Sequence, residues 1–231
     1  MSAAVSALAL AGAHEAADLG GYLTRLLRFN KAAAVRVVAS GSAVGVYGRP
    51  PFDVLTLRTV ALDPAENSVA KNSAAENSGE GATDVDITVS AGDLLHAITD
   101  DGSLALPRPL AGATAWTGFL PPRAGWQTVG ELPVAEVETA ALAGIAEFKA
   151  RAEAIADRER TRAAVDRIAA EIWDRPLTFG LSVRAAHAAR AMAFLGQAQS
   201  EAAVVRSAGR WLRLDAPFGT VVLRTGSGLL A

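Results

Sequence analysis

Near the N-terminus, apolar side chains recur every three to four residues. They are Leu19, Tyr22, Leu23, Leu26 and Leu27. This spacing predicts an amphipathic helix that Asp18 caps and that ends at Asn30. Three apolar runs follow, AAVRVVAS, AVGVY and FDVLTLRTV, and Gly, Ser and Pro residues separate them. The pattern therefore predicts one helix and then three antiparallel strands.

A polar stretch of low complexity interrupts this pattern at residues 62–83, where the tetrapeptide AENS occurs twice. It carries too few apolar side chains to offset the entropy cost of ordering, so we expect a flexible acidic insertion. The run DVDITVS then predicts a further strand. Ser90, three residues before Asp93, predicts the cap of a short helix with the sequence AGDLLHAI.

Residues 134–174 contain two apolar stripes at helical spacing, and a charged segment near 157–162 separates them. Two structures fit this pattern. One is a single helix of about 40 residues, which would span roughly 60 Å and could serve as a bridge or a dimerisation element. The other is a helical hairpin with a solvated joint.

Nearly the same nine-residue sequence occurs twice in the chain, a repeated phrase that reads PFDVLTLRT at 51–59 and PFGTVVLRT at 217–225. A helix capped by Ser182 and the strands AAVVRS and RWLRLD precede the second copy. The order helix, strand, turn, strand, Pro-Phe, strand therefore occurs twice, which favours internal duplication. Two unrelated β-meanders are the alternative. Duplication predicts that Phe52 and Phe218 are equivalent core residues.

These elements predict an α+β protein with two related lobes. Each lobe would be a helix packed on a small antiparallel β-meander, and a long helix or helical hairpin would join them. The expected boundaries are an N-terminal lobe at 1–130, which includes the insertion 62–83, a helical linker at 131–174 and a C-terminal lobe at 175–231.

Composition narrows the chemistry. The chain has 231 residues, 51% of them hydrophobic, and no cysteine, so disulfides, thiolate nucleophiles and cysteine metal sites are excluded. The first basic residue is Arg25, which argues against a signal peptide, and no long apolar run predicts a membrane span. We therefore expect a cytoplasmic protein. The net charge of −2 hides a basic C-terminal segment, 175–231, with seven basic and two acidic residues.

Catalytic motifs are absent from the sequence. His14, His96 and His187 fall on separate predicted elements. Asp84 and Asp86 alternate on a strand and could ligate Mg²⁺, but a charged strand edge explains them equally well. No glycine-rich phosphate loop and no nucleophile elbow occurs. We therefore assign no catalytic, cofactor-binding or metal-binding residue and expect no cofactor.

Two groups of residues are candidates for binding. An aromatic segment could form a partner-binding patch through Trp116, Phe119, Arg123 and Trp126, or its tryptophans could instead seal the core. Basic residues of the C-terminal segment could contact an anion or a nucleic acid. They are Arg184, His187, Arg190, Arg206, Arg210 and Arg213. The order of helices and hairpin in 175–231 is that of a winged helix-turn-helix, but a basic helix face and ordinary sheet strands also explain it.

The segments GFLPPRAGW and RWLRLDAPFGTVVLR resemble sequence from an uncharacterised conserved protein family of high-GC actinobacteria. The resemblance covers most of the chain and implies no site residue. Our leading hypothesis is a non-enzymatic cytoplasmic interaction or regulatory module that binds a protein and forms a homo-oligomer. The alternatives are a winged-helix-like DNA-binding protein, through residues 175–231, and a small-molecule enzyme with a site between the lobes.

Overall fold

The computed structural model describes residues 7–67, 85–111, 120–196 and 201–225. The chain divides into two compact units. The first comprises Met1–Pro50 and Leu57–Phe119, and the second comprises Pro51–Thr56 and Leu120–Ala231. In the described part of the chain, no helix is both long and apolar enough to cross a membrane. The protein is thus a mixed α and β protein with two domains.

The first unit contains most of the N-terminal elements. They are β1 (Ala7–Ala9), α1 (Ala13–Phe29), β2 (Ala34–Ser40), β3 (Ala43–Gly48), β4 (Leu55–Ala61), β5 (Val85–Ser90), α2 (Ala91–His96) and β6 (Ser103–Ala105). Four strands form an antiparallel sheet in the order β5-β2-β3-β4, and β1 pairs separately with β6. Residues Leu55 and Thr56 of β4 belong to the second unit.

Helix α1 begins earlier than its sequence pattern predicts. The predicted cap, Asp18, lies inside the helix, where its carboxylate forms an ion pair with the Arg58 guanidinium. The predicted end is confirmed, because Asn30 adopts an extended conformation directly after the last helical residue. Ser90 also caps α2 as predicted, and its Oγ accepts a hydrogen bond from the Asp93 amide at 3.3 Å.

Alternation in the strands fixes which face is buried. In β2, Val35 and Val37 are fully buried, and in β3, Val44 and Val46 are fully buried. The buried stripe of α1 supplies larger side chains to the core of this unit. Those side chains are Leu19, Tyr22, Leu23 and Leu26.

The beginning of the predicted insertion is attached to β1. Asn67 is buried, its Nδ2 donates to the Ala9 carbonyl at 2.8 Å, and its Oδ1 accepts from the Ala9 amide at 3.3 Å. Two polar groups of one side chain thus extend the hydrogen bonding of a short strand. The rest of the predicted insertion, from residue 68 onward, lies outside the described residues.

The second unit contains the remaining elements. They are β7 (Gln127–Pro133), α3 (Val134–Glu153), α4 (Arg162–Trp173), α5 (Val183–Ala191), β8 (Ala202–Ala208), β9 (Trp211–Ala216) and β10 (Gly219–Arg224). The strands form an antiparallel sheet in the order β10-β9-β8-β7. Helices α3, α4 and α5 pack against one another, and α5 also contacts β10.

The region 134–174 is a helical hairpin and not one long helix. A 3-10 turn at Asp157–Glu159 separates α3 from α4, and Thr161 Oγ1 caps α4 by accepting from the Ala164 amide at 3.2 Å. The two helices pack with α5 inside the second unit, so this region differs from the separate linker that the sequence suggests. Their burial against α5 explains the apolar stripes.

The two phenylalanines of the repeated phrase are not core residues, and that prediction is wrong. Phe218 lies in the turn between β9 and β10 and is 43% exposed. Phe52 is half-buried. Both follow a proline in a turn, where the chain changes direction before the next strand. The alternation that directs strand side chains into the core does not apply in a turn.

Strand β7 has an irregular outer edge. Its pairing with β8 shifts register between Thr128 and Gly130, so Val129 is the extra residue of a β-bulge. The Phe179 ring lies directly over Gly130, where an added Cβ would meet the ring at 2.2 Å. Phe179 itself has a positive φ of 58°, a backbone conformation that is costly for an aromatic residue.

Candidate functional site

Helix α5 carries small residues on its buried side and polar residues on the other. The alanines at positions 185, 186, 188 and 189 are fully buried. Arg184, His187 and Arg190 recur every three residues and share the remaining face. Since alanine ends at Cβ, α5 can approach its neighbours closely. His187 is thereby half-buried and does not lie on the exposed basic face that the sequence allowed.

A cavity of about 320 Å³ opens beside His187. Its lining residues are Pro51, Phe52, Ile145, Phe148, Trp173, Arg184 and His187. The volume lies in the range of ligand pockets, which are mostly apolar with a few polar groups. Three rings, those of Phe52, Phe148 and Trp173, supply most of the apolar wall. We call this cavity the His187 pocket.

Aromatic rings hold the His187 imidazole on two sides. The Trp173 ring stacks on it at a centroid distance of 4.5 Å and 23° between planes, and the Phe52 ring meets it edge-on at 4.9 Å. His187 Nδ1 is buried and has no hydrogen-bond partner in the described residues. Burial lowers the pKa of His187, and the nearby charges of Arg190 and Arg184 lower it further. The imidazole is therefore neutral at pH 7.

Two carboxylates engage Arg184 at the rim of the pocket. Its Nη2 donates to Asp174 Oδ1 at 2.6 Å, and its Nη1 donates to Asp53 Oδ2 at 3.1 Å and to the Phe52 carbonyl at 3.2 Å. The Arg184 side chain is 18% exposed, whereas both carboxylates are more than 60% exposed. The rim therefore carries one excess negative charge, which does not favour an anionic ligand.

Ion pairs hold α3 against the end of α4. Glu147 accepts hydrogen bonds from both terminal nitrogens of Arg175 at 2.9 Å, and Arg151 pairs with Glu171. The hydrogen bond from Arg175 holds the pKa of Glu147 below its ordinary value, with a smaller contribution from Arg151. Because 147 meets 175 and 151 meets 171, the two helices run antiparallel.

Gly144 allows the Trp173 ring to reach its position. A Cβ at residue 144 would lie 2.9 Å from Trp173 Cζ3 and 2.9 Å from Val183 Cγ1. Such distances are shorter than carbon–carbon contacts allow, so any side chain there would displace the ring. The absence of a side chain thus positions one wall of the His187 pocket.

Apolar surface continues from the pocket along α3. Leu142 is 44% exposed and Ile145 is 37% exposed, and Ile145 also lines the pocket. On the far side of Phe148, a second, more open cavity of about 320 Å³ lies between α3 and α4. Its lining residues are Phe148, Lys149, Ala152, Glu153, Arg160 and Val165. We call the two cavities with their shared Phe148 the α3–α4 groove.

The basic residues predicted to contact an anion are divided between two faces. Arg184, His187 and Arg190 lie on α5, where Arg190 is 3.9 Å from Glu138. Arg206 and Arg213 are opposite each other on β8 and β9, and both bind the Asp215 carboxylate. Along their strands, Arg206 and Arg213 alternate with buried residues, so both arginines face away from the helices. Those buried residues are Val205, Leu212 and Leu214.

The remaining predicted binding residues are only partly within the described chain. Trp116 and Phe119 lie outside the described residues. Trp126 is half-buried, its Nε1 donates to the Pro122 carbonyl at 2.8 Å, and the Arg213 guanidinium lies 4.7 Å from its ring centroid. Arg123 and Arg210 are exposed. In the described part of this segment, Trp126 packs on the sheet.

The acidic residues considered for a metal are engaged elsewhere. Asp86 binds Arg36 of the neighbouring strand through two hydrogen bonds, at 2.6 and 2.9 Å. This pairing raises the pKa of Arg36. Asp84 lies outside the described residues. Within the residues that are described, no group of three His, Asp or Glu side chains could hold a metal ion.

Sequence reasoning missed most of the pocket wall. Phe148 belongs to one of the apolar stripes of residues 134–174, and the sequence assigns neither Trp173 nor Phe52 to a site. The useful signal was the combination of Gly144 in a helix with a tryptophan near the end of the next helix. A helical glycine often marks a close approach, and the large ring that fills such a gap is a candidate wall.

Each half of the chain matches a protein family. A family described as "Domain of unknown function (DUF8010)" matches residues 3–118, and another described as "Domain of unknown function (DUF8185)" matches residues 121–228. The chain belongs to the DUF8010 family. The expected membership of an uncharacterised family is thereby confirmed, while the actinobacterial origin stays a prediction. The His187 pocket of this DUF8010 protein lies mostly in residues that the DUF8185 match covers.

A search of curated proteins found no match to this DUF8010 protein. Solved structures similar to it include sliding clamps of Pseudomonas aeruginosa. One, a DNA polymerase sliding clamp with a ligand, is 11% identical with a TM-score of 0.44, and another, DNA polymerase III subunit beta, is 11% identical with a TM-score of 0.46. The comparison covers 94% of this chain but only 64% of each clamp. The chain thus spans less than two thirds of the length of those proteins.

Proposed function

We propose that this protein is a non-enzymatic interaction module that binds an apolar side chain of a partner protein in the His187 pocket. The observation that carries the proposal is the pocket itself, whose wall consists mostly of proline, phenylalanine, isoleucine and tryptophan side chains. An apolar side chain in the pocket adds about 1.5–3 kcal/mol.

The residue types at the pocket favour binding over catalysis. His187 is the one lining side chain that could transfer a proton near neutral pH, and Arg184 is engaged by two carboxylates. The other lining residues are proline, phenylalanine, isoleucine and tryptophan, which supply surface and shape. An enzyme normally needs a second group that acts as acid, base or nucleophile.

Exposed apolar surface favours a protein partner over a small metabolite. Leu142 lies outside the pocket on the same helix as the pocket residue Ile145, and both side chains are exposed. A small molecule held in the pocket would leave Leu142 in water, whereas a protein segment could cover it. The homo-oligomer proposed from the sequence now rests on these two residues, and the cytoplasmic location rests on the sequence alone.

Internal duplication is part of the proposal. In the first unit, α1 is followed by β2, β3 and β4, and in the second, α5 is followed by β8, β9 and β10. Both runs contain the sequence Pro-Phe in the turn before the third strand. The repeated order supports two related lobes, each with a helix and a β-meander, and the hairpin α3–α4 precedes the second one.

The winged-helix alternative stays a prediction. Strands β8, β9 and β10 are consecutive in a sheet that continues to β7, so they form more than a two-stranded wing. Arg206 and Arg213 already share the Asp215 carboxylate. These contacts offer less support for phosphate binding than the pocket offers for an apolar ligand.

Selection from a random peptide library tests the proposal. The wild-type chain is the bait, and the variant Ile145→Glu serves for counter-selection. We expect selected peptides to lose at least about tenfold in affinity for this variant, because a buried charge costs more than 1.4 kcal/mol. The matched control is Ala146→Glu, a neighbouring exposed site on α3 that does not line the pocket. A selection that yields only peptides with equal affinity for both variants contradicts the proposal.

A further inference from the structure

We infer that the second unit binds single-stranded nucleic acid on the face of its sheet that points away from the helices. This surface is separate from the His187 pocket, which lies among α3, α4 and α5. Five side chains form it, two of them aromatic and three of them cationic, and we call them the Arg–Trp face. They are Trp126, Arg206, Trp211, Arg213 and Arg224.

Strand register brings these side chains to one end of the sheet. Arg206 of β8 is opposite Arg213 of β9, and Trp211 of β9 is opposite Arg224 of β10. Trp126 directly precedes β7, which pairs with β8 from its first residue. Alternate residues of a strand share a face and are about 6.8 Å apart. Trp211 and Arg213 are therefore neighbours, and the five side chains form one continuous surface.

Two of the arginines lie over tryptophan rings. The guanidinium carbon of Arg213 is 4.7 Å from the Trp126 ring centroid, and that of Arg224 is 6.0 Å from the Trp211 ring centroid. All four side chains are half-buried, so rings and cations are partly open to solvent. Each pair places a flat apolar surface beside a positive charge. Nucleic-acid bases stack on aromatic rings and guanidinium planes, while phosphates bind the cations.

The three arginines retain unused hydrogen-bond donors. Arg213 bonds to Asp215 through Nε at 3.0 Å, and its terminal nitrogens make no hydrogen bond within the described residues. Arg206 binds the same carboxylate through Nη1 alone. Arg224 forms no hydrogen bond or ion pair with any described residue. One carboxylate thus faces three guanidinium groups, and their remaining N–H groups match the oxygens of a phosphate.

The charges of the whole sheet favour the same end for an anion. The described segments 120–133 and 201–225 contain five arginines and three acidic residues. Arg123 and Arg210, which are exposed, lie in the segments that lead into β7 and β9. The acidic residues other than Asp215 lie toward the opposite end, because Glu131 is opposite Val204 and Glu201 directly precedes β8. A phosphate chain is therefore attracted to the Arg–Trp face and repelled beyond it.

The tryptophans favour an unpaired strand over a duplex and over an acidic peptide. In a duplex the faces of the bases are stacked on one another, so only phosphates would meet the Arg–Trp face. An acidic peptide offers carboxylates to the arginines but no flat rings to the tryptophans. Unpaired bases offer both a ring and a neighbouring phosphate. Since every base has such a ring, we expect little dependence on nucleotide sequence.

Fluorescence anisotropy on the full chain tests the inference with a labelled oligothymidylate of about 12 nucleotides, a length within the range of single-strand sites. Thymidylate is chosen because it does not pair with itself. Three further probes have the same length. They are an abasic strand, which keeps the phosphates but has no bases, a DNA duplex, and a polyglutamate peptide. Each titration is repeated at several salt concentrations.

The oligothymidylate should bind more tightly than the other three probes. The logarithm of its affinity should fall with the logarithm of the salt concentration, by about 0.7 for each phosphate contact. Arg224→Gln should reduce this slope by about 0.7, which corresponds to a loss of about fivefold at about 0.1 M salt. The matched control Arg162→Gln removes the same charge from α4, at a side chain that is 93% exposed, and should leave both quantities unchanged.

The aromatic contribution is measured separately. On the wild-type chain, the abasic strand should bind at least about fivefold more weakly than the oligothymidylate, because it cannot stack. Trp211→Ala should weaken the oligothymidylate by at least about fivefold and leave the abasic strand nearly unaffected. Circular dichroism of each variant shows whether the fold is retained, and the comparison of the two strands on the wild-type chain needs no variant.

Several outcomes overturn the inference. Equal affinity for the oligothymidylate and the abasic strand excludes stacking, and tighter binding of the duplex or of polyglutamate assigns the face to a different partner. Equal losses with Arg224→Gln and Arg162→Gln show attraction to charge anywhere on the chain. Absence of binding at low salt is also contradictory. None of these results affects the proposed function, whose test is peptide selection against Ile145→Glu.

Discussion

Two helices that each precede a run of three strands bury very different side chains. Helix α1 buries Leu19, Tyr22 and Leu23, whereas α5 buries four alanines. Large side chains fill the space above a sheet themselves. Small ones leave that space to neighbouring elements, and in the second unit α3 and α4 occupy it. The pocket therefore depends on the small residues of α5 as much as on the rings that line it.

The difference also explains where the candidate site lies. In α1 the polar residue Asp18 binds Arg58 of a strand, which completes a local ion pair. In α5 the polar residue His187 stacks on Trp173, and its Nδ1 has no partner in the described residues. If the two units are related by duplication, the site arose where the second unit departed from the shared plan.

The largest expected effects come from exchanging the side-chain sizes of the two helices. Leu23→Ala in α1 should lower the free energy of unfolding by about 2–5 kcal/mol, because it leaves a cavity at a fully buried site. Ala188→Leu in α5 should lower it by about 1–3 kcal/mol through overpacking. Urea denaturation followed by circular dichroism measures both. A neutral Ala188→Leu would mean that α5 does not need small residues.

An intermediate effect is expected from adding one methyl group at Gly144. Gly144→Ala should lower the free energy of unfolding by about 1–3 kcal/mol, because the new Cβ meets Trp173 and Val183 at 2.9 Å. The matched control is Gly92→Ala in α2, where the nearest atom is Ser90 Oγ at 3.7 Å. That change should raise the free energy of unfolding by about 0.4–1 kcal/mol. Effects of the same sign at both sites would contradict the close approach of α3 and α4.

The smallest expected effect is a dependence on pH from His187. Its pKa is lower in the folded chain than the ordinary value of 6.5, so the unfolded chain binds the proton at higher pH. The stability due to neutral His187 is therefore complete above pH 6.5 and is lost as the pH falls through the lower, folded pKa. Urea denaturation between pH 7.5 and about 5 should show a smaller loss for His187→Gln than for wild type.

A control identifies the source of this dependence. His14→Gln alters a side chain that is 84% exposed and serves as the control for loss of an imidazole outside the pocket. Should His187→Gln and wild type lose stability in parallel, the stacked imidazole would not be the titrating group.

Local patterns were sufficient to predict much of the fold. Asn30 and Ser90 mark helix ends through their own backbone and side-chain preferences, and the alternation in β2 and β3 is visible in the sequence. Strand β7 was missed because it shows no such alternation. Of its seven residues only Leu132 is buried, and an edge strand with a bulge has few side chains to place in a core.

The pocket could not be predicted in the same way. Its imidazole stacks on a ring from α4 and meets Phe52, a residue 135 positions away in the sequence (187 − 52). Such contacts depend on tertiary packing and leave no periodic signal. The ion pairs of the arginines could not be predicted for a related reason, because sequence shows charge but not the carboxylates, such as Asp215, that neutralise it.

The bulge in β7 and the ring of Phe179 over Gly130 affect how readily the edge of this sheet can pair with another chain. A straight, open strand edge is a template on which other chains add and aggregates grow. Here the register shift at Val129 bends the edge, and the aromatic ring covers one face of the backbone at the next residue. The positive φ of Phe179 costs the fold some stability. We therefore expect β7 to be a poor template for the addition of other chains.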